Sequence, residues 1–277
     1  MPRRPQQAKG DRAVPSPRPA AVLAAEAWAE VREPLDRQLS PLGLRAIEAL
    51  CPRAGEMIVD IGCGAGQTVL HLADRVGPEG HVIGVDIAPL LLDIARERAR
   101  GLTQVSFIEG DAAVLDLPAA SVDAFFSRFG VMALSDHAAA FANFHRMLKP
   151  DGRLAFVCWR SLDENELDHL PLRAAGLEHR LDPTPFSFED PAYVRAILEK
   201  AGFREVGISA HDEAVTSGDL DAMTTVLLKV GPLGRIIREN PELRAAAEPP
   251  VRAALAAKGG AGRVTLRAAI WVVSARA

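Results

Sequence analysis

"VDIGCGAG", residues 59–66, sets an aspartate two residues ahead of the first of three glycines, at positions 62, 64 and 66. The stretch closes a short apolar run, 57–61 (MIVDI), and leads into 65–76, where Val69, Leu72, Ala73 and Val76 recur at helical spacing. A strand that passes through a glycine turn into a helix is the ligand-binding corner of an open α/β sheet. Glycine at alternate positions permits dihedrals closed to other residues and lets a ligand approach the backbone.

The neighbouring residues narrow the choice of ligand. A dinucleotide fingerprint, GxGxxG, needs glycine where this chain has Gln67. Asp60 would repel a diphosphate drawn to the helix N-terminus. Asp86 ends the second apolar run, at a distance from Gly62 that suits an acceptor for ribose hydroxyls. Asp111, in "FIEGDAAVLDLP" (107–118), follows the third run and can accept from an adenine exocyclic amine. Singly, Asp86 suits a helix cap and Asp111 an Asx turn. Together, and in register with the glycines, they describe a nucleoside across adjacent strand tips, with a cationic amino-acid end and no phosphate.

Outward from this corner the same rhythm recurs. Runs at 82–85, 104–108, 122–127 and 153–158 are mostly separated by amphipathic stretches, among them 137–148 with Phe141, Phe144 and Leu148. Strands alternating with helices predict a parallel sheet covered on both faces. Pro150-Asp151-Gly152 predicts a turn into the fifth strand. The expected organisation is a disordered tail over 1–19 and a helical cap over 20–50, divided by Pro34 and Pro41. A cofactor-binding core follows over 51–160, then a substrate insertion over 161–190 and a core helix and strand over 191–211. A helical lid over 212–262 and a last strand within 263–277 complete it.

Composition excludes several function classes. With 277 residues, 48% of them hydrophobic and 25% charged, the chain can bury a sizeable core. A net charge of −4 supplies no overall positive field for nucleic acid. Cys51, Cys63 and Cys158 form no CxxC pair, which predicts reduced thiols, a cytoplasmic location and no metal site. No apolar run reaches the ~20 residues of a membrane helix, and Glu26 and Glu30 interrupt the stretch that would follow Arg3-Arg4 in an export signal.

Residues 53–99, "FIEGDA", "SVDAFFSRFGVMAL" (121–134) and "RMLKPDGRLAFVCWR" (146–160) resemble the class I S-adenosylmethionine-dependent methyltransferases, in particular their ubiquinone/menaquinone-biosynthesis-like bacterial branch. The likeness extends to "PLDRQLSPLG" (34–43), "PFSFEDPAYVRAILEKAGF" (185–203) and "AAIWVVSARA" (268–277). It implies a Rossmann-like seven-stranded sheet, mostly parallel with an antiparallel last strand, with helices on both faces and helical lid insertions. S-adenosylmethionine is the implied cofactor and S-adenosylhomocysteine its product. Gly62, Gly64 and Gly66 would pack on the methionine part, with Asp60 in the same set. Asp86 would hold the ribose, with Ile87 beside it, and Asp111 with Ala112 would read the adenine. Ser127 and Arg128 would face the sulfonium.

The resemblance leaves the acceptor open among quinone-like compounds, natural-product hydroxyls, amines and carbon atoms. "SRFG" (127–130) departs from the Asp/Asn-Pro-Pro-aromatic pattern of amine methyltransferases. A small-molecule acceptor, no nucleic acid, no membrane insertion and a possible homodimer are expected. A nicotinamide oxidoreductase and a non-catalytic cofactor-binding subunit stand as alternatives. His169 and His137 are the candidate bases, although a surface role reads more readily for each, and Arg160 is a candidate for an anionic acceptor or a plain surface arginine. Trp28 is read as an anchor for the N-terminal helix, and His71, His81 and His145 as structural.

Overall fold

Continuous β-branched runs form the central strands because strands buried on both faces have no polar side to display. In β1 (Met57–Ile61) Ile58, Val59, Asp60 and Ile61 are all buried. The computed structural model describes residues 19–260 and 262–277, so the tail expected over 1–19 lies, except for Pro19, outside the described residues. The other strands are β2 (His81–Asp86), β3 (Val105–Glu109), β4 (Val122–Arg128), β5 (Leu148–Trp159), β6 (Arg204–Gly218) and β7 (Val264–Arg276). They form one seven-stranded sheet in the order β3-β2-β1-β4-β5-β7-β6. Strands β1 to β5 pair in parallel, and β7 lies antiparallel between β5 and β6, as the resemblance implies.

Ten helices are described: α1 (Ala20–Glu30), α2 (Arg32–Leu50), α3 (Gln67–Val76), α4 (Pro89–Arg98), α5 (His137–Met147), α6 (Glu166–Ala174), α7 (Pro191–Lys200), α8 (Leu220–Leu227), α9 (Gly231–Glu239) and α10 (Arg244–Gly259). Alternation along the strands divides the core in two. Ile58, Val82 and Phe126 pack on the face covered by α2 and α3, whereas Val59, Ile83 and Phe125 pack on the face covered by α5 and α7. Strand order reverses between β1 and β4, so the crevice of an open α/β sheet lies at their carboxyl ends.

Three local expectations are corrected. The helical segment expected as a lid from 212 starts at Leu220, because β6 continues to Gly218 and pairs with β7 as far as Val264. The polar run His211-Asp212-Glu213 reads as a strand end, yet it is one edge of this long ribbon. Pro34 and Pro41 do not divide the cap; the break is at Val31. Pro34 falls in the first turn of α2, where the missing N–H costs nothing, and Pro41 is carried by a face on which Leu35, Leu39, Leu42, Ala46 and Ile47 are buried. The turn at 150–152 interrupts β5 instead of preceding it: the register with β4 shifts between Leu148 and Arg153, and Asp151 has φ +63°.

Asn165 fastens the insertion after β5 to the sheet. Its buried amide donates to the carbonyls of Arg160, Ser161 and Ala269 at 3.1, 3.2 and 2.9 Å, and its carbonyl accepts from Ala269 N at 2.7 Å. Replacing it with a hydrophobe removes the bonds to Arg160 O and Ala269 N, whereas Ser161 O and Ala269 O keep Glu164 N and Arg160 N. Asn165→Leu is expected to cost about 2–4 kcal/mol in urea unfolding. A loss below about 0.5 kcal/mol would show that α6 is not held by this side chain.

A candidate site at the carboxyl ends of the strands

Gly62, Gly64 and Gly66 have φ of +71°, +52° and +83°. Packing explains two of them: an added Cβ would lie 2.8 Å from Gly130 Cα at position 62 and 2.8 Å from Ala95 Cβ at position 66. At Gly64 it would meet nothing within 4 Å among the described residues, so this glycine faces open space between them. The loop is fixed to the tip of β2, where Val85 O accepts from Gly62 N and Cys63 N at 2.9 and 3.1 Å. Asp86 Oδ2 accepts from Gly64 N at 2.8 Å and Oδ1 from Ala88 N at 2.9 Å. Each carboxylate oxygen keeps a further lone pair for a ligand hydroxyl. Ile87 follows it with 66% of its surface exposed, a large apolar side chain presented beside a polar anchor.

The other strand tips complete the rim. Gly110 N donates to Asp86 O, and Asp111 Oδ1 caps the turn at 112–114 by accepting from Ala113 N at 2.8 Å. Asp111 is exposed while Ala112 is buried. Asp60 is wholly buried; Oδ2 accepts from Thr68 Oγ1 at 2.5 Å, and Oδ1 has no partner among the described residues. Burial pushes its carboxyl up to about 7, against the opposing pull of Thr68 and Arg128. An unsatisfied acceptor behind a glycine loop suits a ligand carrying donors or positive charge.

Ser127 and Arg128 turn inward, and their side chains bond within the protein. Ser127 Oγ donates to Ile61 O at 2.8 Å and accepts from Gly130 N at 3.0 Å, joining the ends of β1 and β4. Arg128 donates to Gln67 Oε1 and lies 3.9 Å from Asp36. Asp36 also binds Arg98, which reaches Ala65 O at 3.1 Å. Gln67, where the dinucleotide pattern would require glycine, therefore ties the loop to α2.

Beyond β4 opens a cavity of about 810 Å³. Leu23 and Trp28 of α1, Gln38 of α2, Phe129, Trp159 and residues of α8 and α9 line it. Phe129, with φ +64°, stacks on Trp159 at 4.0 Å between centroids and 14° between planes. Trp28 is 37% exposed on the wall, so it offers a face to the cavity as well as anchoring α1.

Asp168 lines the same cavity at 6% exposure, with no hydrogen bond or ion pair to its carboxylate among the described residues. Burial alone pushes it up to about 7. His169, its neighbour, points elsewhere: its ring lies 3.4 Å from Glu178 in a shallow recess with Arg173 and Arg267. His137 contacts Tyr193 Oη at 3.2 Å and Met132 O at 3.4 Å and sits edge-on to Phe188, outside the cavity lining. Neither histidine is brought to the cavity. The missed signal was phase: Asp168 lies on the buried stripe of α6 with Leu167, Pro171 and Leu172. Arg160 is taken up by Asp212, Glu164 and the face of Trp271. His81 bonds Ser106 Oγ, and His145 packs on Phe203.

Comparison with known proteins bears on this geometry. Residues 58–152 match the family model described as a methyltransferase domain. This segment is a methyltransferase domain. It contains the glycine loop, Asp86, Asp111 and β4. The chain is 38% identical over 120 residues to aklanonic acid methyltransferase of Streptomyces sp. strain C5, covering 43% of this chain and 54% of that protein. It is 35% identical over 185 residues to nocamycin O-methyltransferase of Saccharothrix syringae, covering 60% and 65%. The chain thus spans less than two thirds of the length of either relative. A crystal structure of a SAM dependent methyltransferase from Aquifex aeolicus superposes with a TM-score of 0.53 at 18% identity, over 90% of this chain and 97% of that one, and shows a common fold. Among the described residues, no helix is long and apolar enough to cross a membrane and no group of three or more acidic, histidine or cysteine side chains is placed to hold a metal ion.

The raised carboxyl of Asp168 has a consequence for stability. The folded protein keeps this proton up to about pH 7, whereas an unfolded chain loses it near 3.8. Its contribution to stability is full below the unfolded value and falls as pH rises through the folded one. Asp168→Asn should remove that loss and gain roughly 1–4 kcal/mol relative to wild type between pH 4 and pH 8 in urea unfolding. An equal difference between variant and wild type at both pH values would place the Asp168 titration in its ordinary range.

Proposed function

We propose that the protein transfers a methyl group from S-adenosylmethionine to a small, largely apolar acceptor held in the cavity beyond β4. The observation that carries this reading is Asp86, bonded to Gly64 N beside the open space at Gly64, on a rim that leads through the segment after β4 into a covered apolar cavity. Gly62, Gly64 and Gly66 would take the methionine part, and the unsatisfied Asp60 would favour its cationic end. Asp86 with Ile87 would take the ribose, and Asp111 with Ala112 the adenine. When bound, the cofactor supplies an electrophilic methyl group.

The chain's own work is to bind, orient and exclude water. Helix α1 packs across α4 and α9, so it bridges the cofactor rim and the lid. An ion pair between Glu30 and Lys229 fastens it there. A mostly apolar chamber raises the effective concentration of the acceptor and orients it for in-line displacement. Small-molecule acceptors appear in the names of both relatives, and the net charge of −4 gives no field for nucleic acid. The nicotinamide reading loses support because Gln67 is built into the bonds beneath the loop.

A direct test supplies methyl-labelled S-adenosylmethionine, with purified protein, to a metabolite extract of the source organism. Label is expected in a low-molecular-weight product with wild type. Asp86→Ala should bind S-adenosylhomocysteine about 10- to 150-fold more weakly, since hydrogen bonds to an ionised acceptor are lost, with an unchanged fold by circular dichroism. An unaltered dissociation constant would remove Asp86 from the site, and label only in macromolecules would contradict the acceptor class.

A further inference from the structure

We propose that Asp168 is the base that takes the proton from the acceptor, and that the acceptor is a flat, apolar molecule presenting a phenolic or enolic hydroxyl to this carboxylate; the inference rests on the methyltransferase reading. Two features of the cavity meet here. One is the parallel Phe129–Trp159 pair, whose planes lie within 14° of each other and offer a platform to a planar ring. Phe129 is held in the left-handed region with its N–H on Val157 O, so the platform is fixed in place by the backbone.

The second is the state of the carboxylate. Three acids line the cavity, and two are already engaged: Asp182 and Glu239 both pair with Arg235. Asp168 alone of the three has no partner among the described residues, at 6% exposure. The cations that share the chamber bond to groups other than Asp168. Arg180 bonds Asn240, Arg235 holds the two acids, and Arg238 bonds Lys229 O. From α9, Gly231 approaches Asp168 so closely that a Cβ there would sit 3.1 Å from Oδ1. A buried acceptor left without a donor costs free energy, and a ligand hydroxyl recovers it.

The chemistry selects the hydroxyl. A base that titrates at about 7 is matched to phenols and enols and is far too weak for an aliphatic alcohol. A neutral amine has a free lone pair and needs no prior loss of a proton. As the acceptor O–H bond breaks, its proton goes to Asp168. The electron pair left on oxygen becomes the new bond to the methyl carbon, and the carbon–sulfur pair stays with the departing thioether. Proton and methyl charge then cancel against carboxylate and sulfonium, and Asp168 returns its proton to water.

The test is made by binding, in the presence of S-adenosylhomocysteine, with 2-naphthol and its methyl ether 2-methoxynaphthalene as probes. Wild type at pH 8 is expected to prefer the naphthol by at least about tenfold, the worth of a hydrogen bond to an ionised acceptor, and the preference should narrow at pH 5.5 as Asp168 takes up its proton. Asp168→Leu should bind the two probes within about threefold at both pH values, and Asp168→Asn should bind S-adenosylhomocysteine as wild type does. Equal preference in wild type and the leucine variant, or no naphthol binding to wild type that still binds S-adenosylhomocysteine, would overturn the role of Asp168 and leave the methyltransferase reading standing. Failure of wild type to bind S-adenosylhomocysteine would overturn that reading itself.

Discussion

The hydrogen bond from Gly64 N to Asp86 Oδ2 links the two strand tips on which the proposed site depends. It can form only because the chain leaves β1 through three residues with positive φ, a path that costs other L-residues strain and is open to glycine. Two of these glycines bring the loop against Gly130 and Ala95 and leave no room for a side chain. The third leaves its space to the crevice. One aspartate on β2 thus sets the loop's height above the sheet and offers its remaining lone pairs to whatever lies there.

From this point constraint spreads to elements far apart in sequence. Gln67, Arg128, Asp36 and Arg98 form a connected set under the loop that holds α2 across the sheet. The other end of the cap is joined to the long β6–β7 ribbon: Gln38 accepts from Ser217 Oγ, and Arg37 reaches Ser217 O at 3.2 Å. The ribbon carries α8 to α10 between its strands, so cap, loop and these helices share one support. A chamber built this way keeps Phe129, Trp159 and Asp168 in fixed relation although they come from segments after β4, at the end of β5 and in α6.

Much of this was legible in the residues. Apolar runs at regular intervals placed the five central strands to within a few positions, and the glycines with Asp86 and Asp111 marked the rim. The failures have physical causes. Polar alternation at 211–213 belongs to a ribbon edge, which hydrophobic periodicity does not reveal. Proline at 41 is tolerated because tertiary burial outweighs one lost hydrogen bond. Ser127 and Arg128 follow a strand end correctly, yet whether such a side chain faces the ligand or the interior depends on the neighbours it meets. His169 is a candidate base by residue type, and one step of 100° around a helix separates its solvent recess from the chamber that Asp168 lines. An acid in phase with an apolar stripe is the more informative signal, since a charge there must be neutralised, paired or used.

The central claim is that the glycine loop and Asp86 form a site for a nucleoside with a cationic amino-acid end and without a diphosphate. Calorimetry of the purified protein with S-adenosylhomocysteine and, separately, with NAD tests this most directly. The account predicts one saturable site for S-adenosylhomocysteine and no heat of binding for NAD; saturable binding of NAD with none of S-adenosylhomocysteine would contradict it.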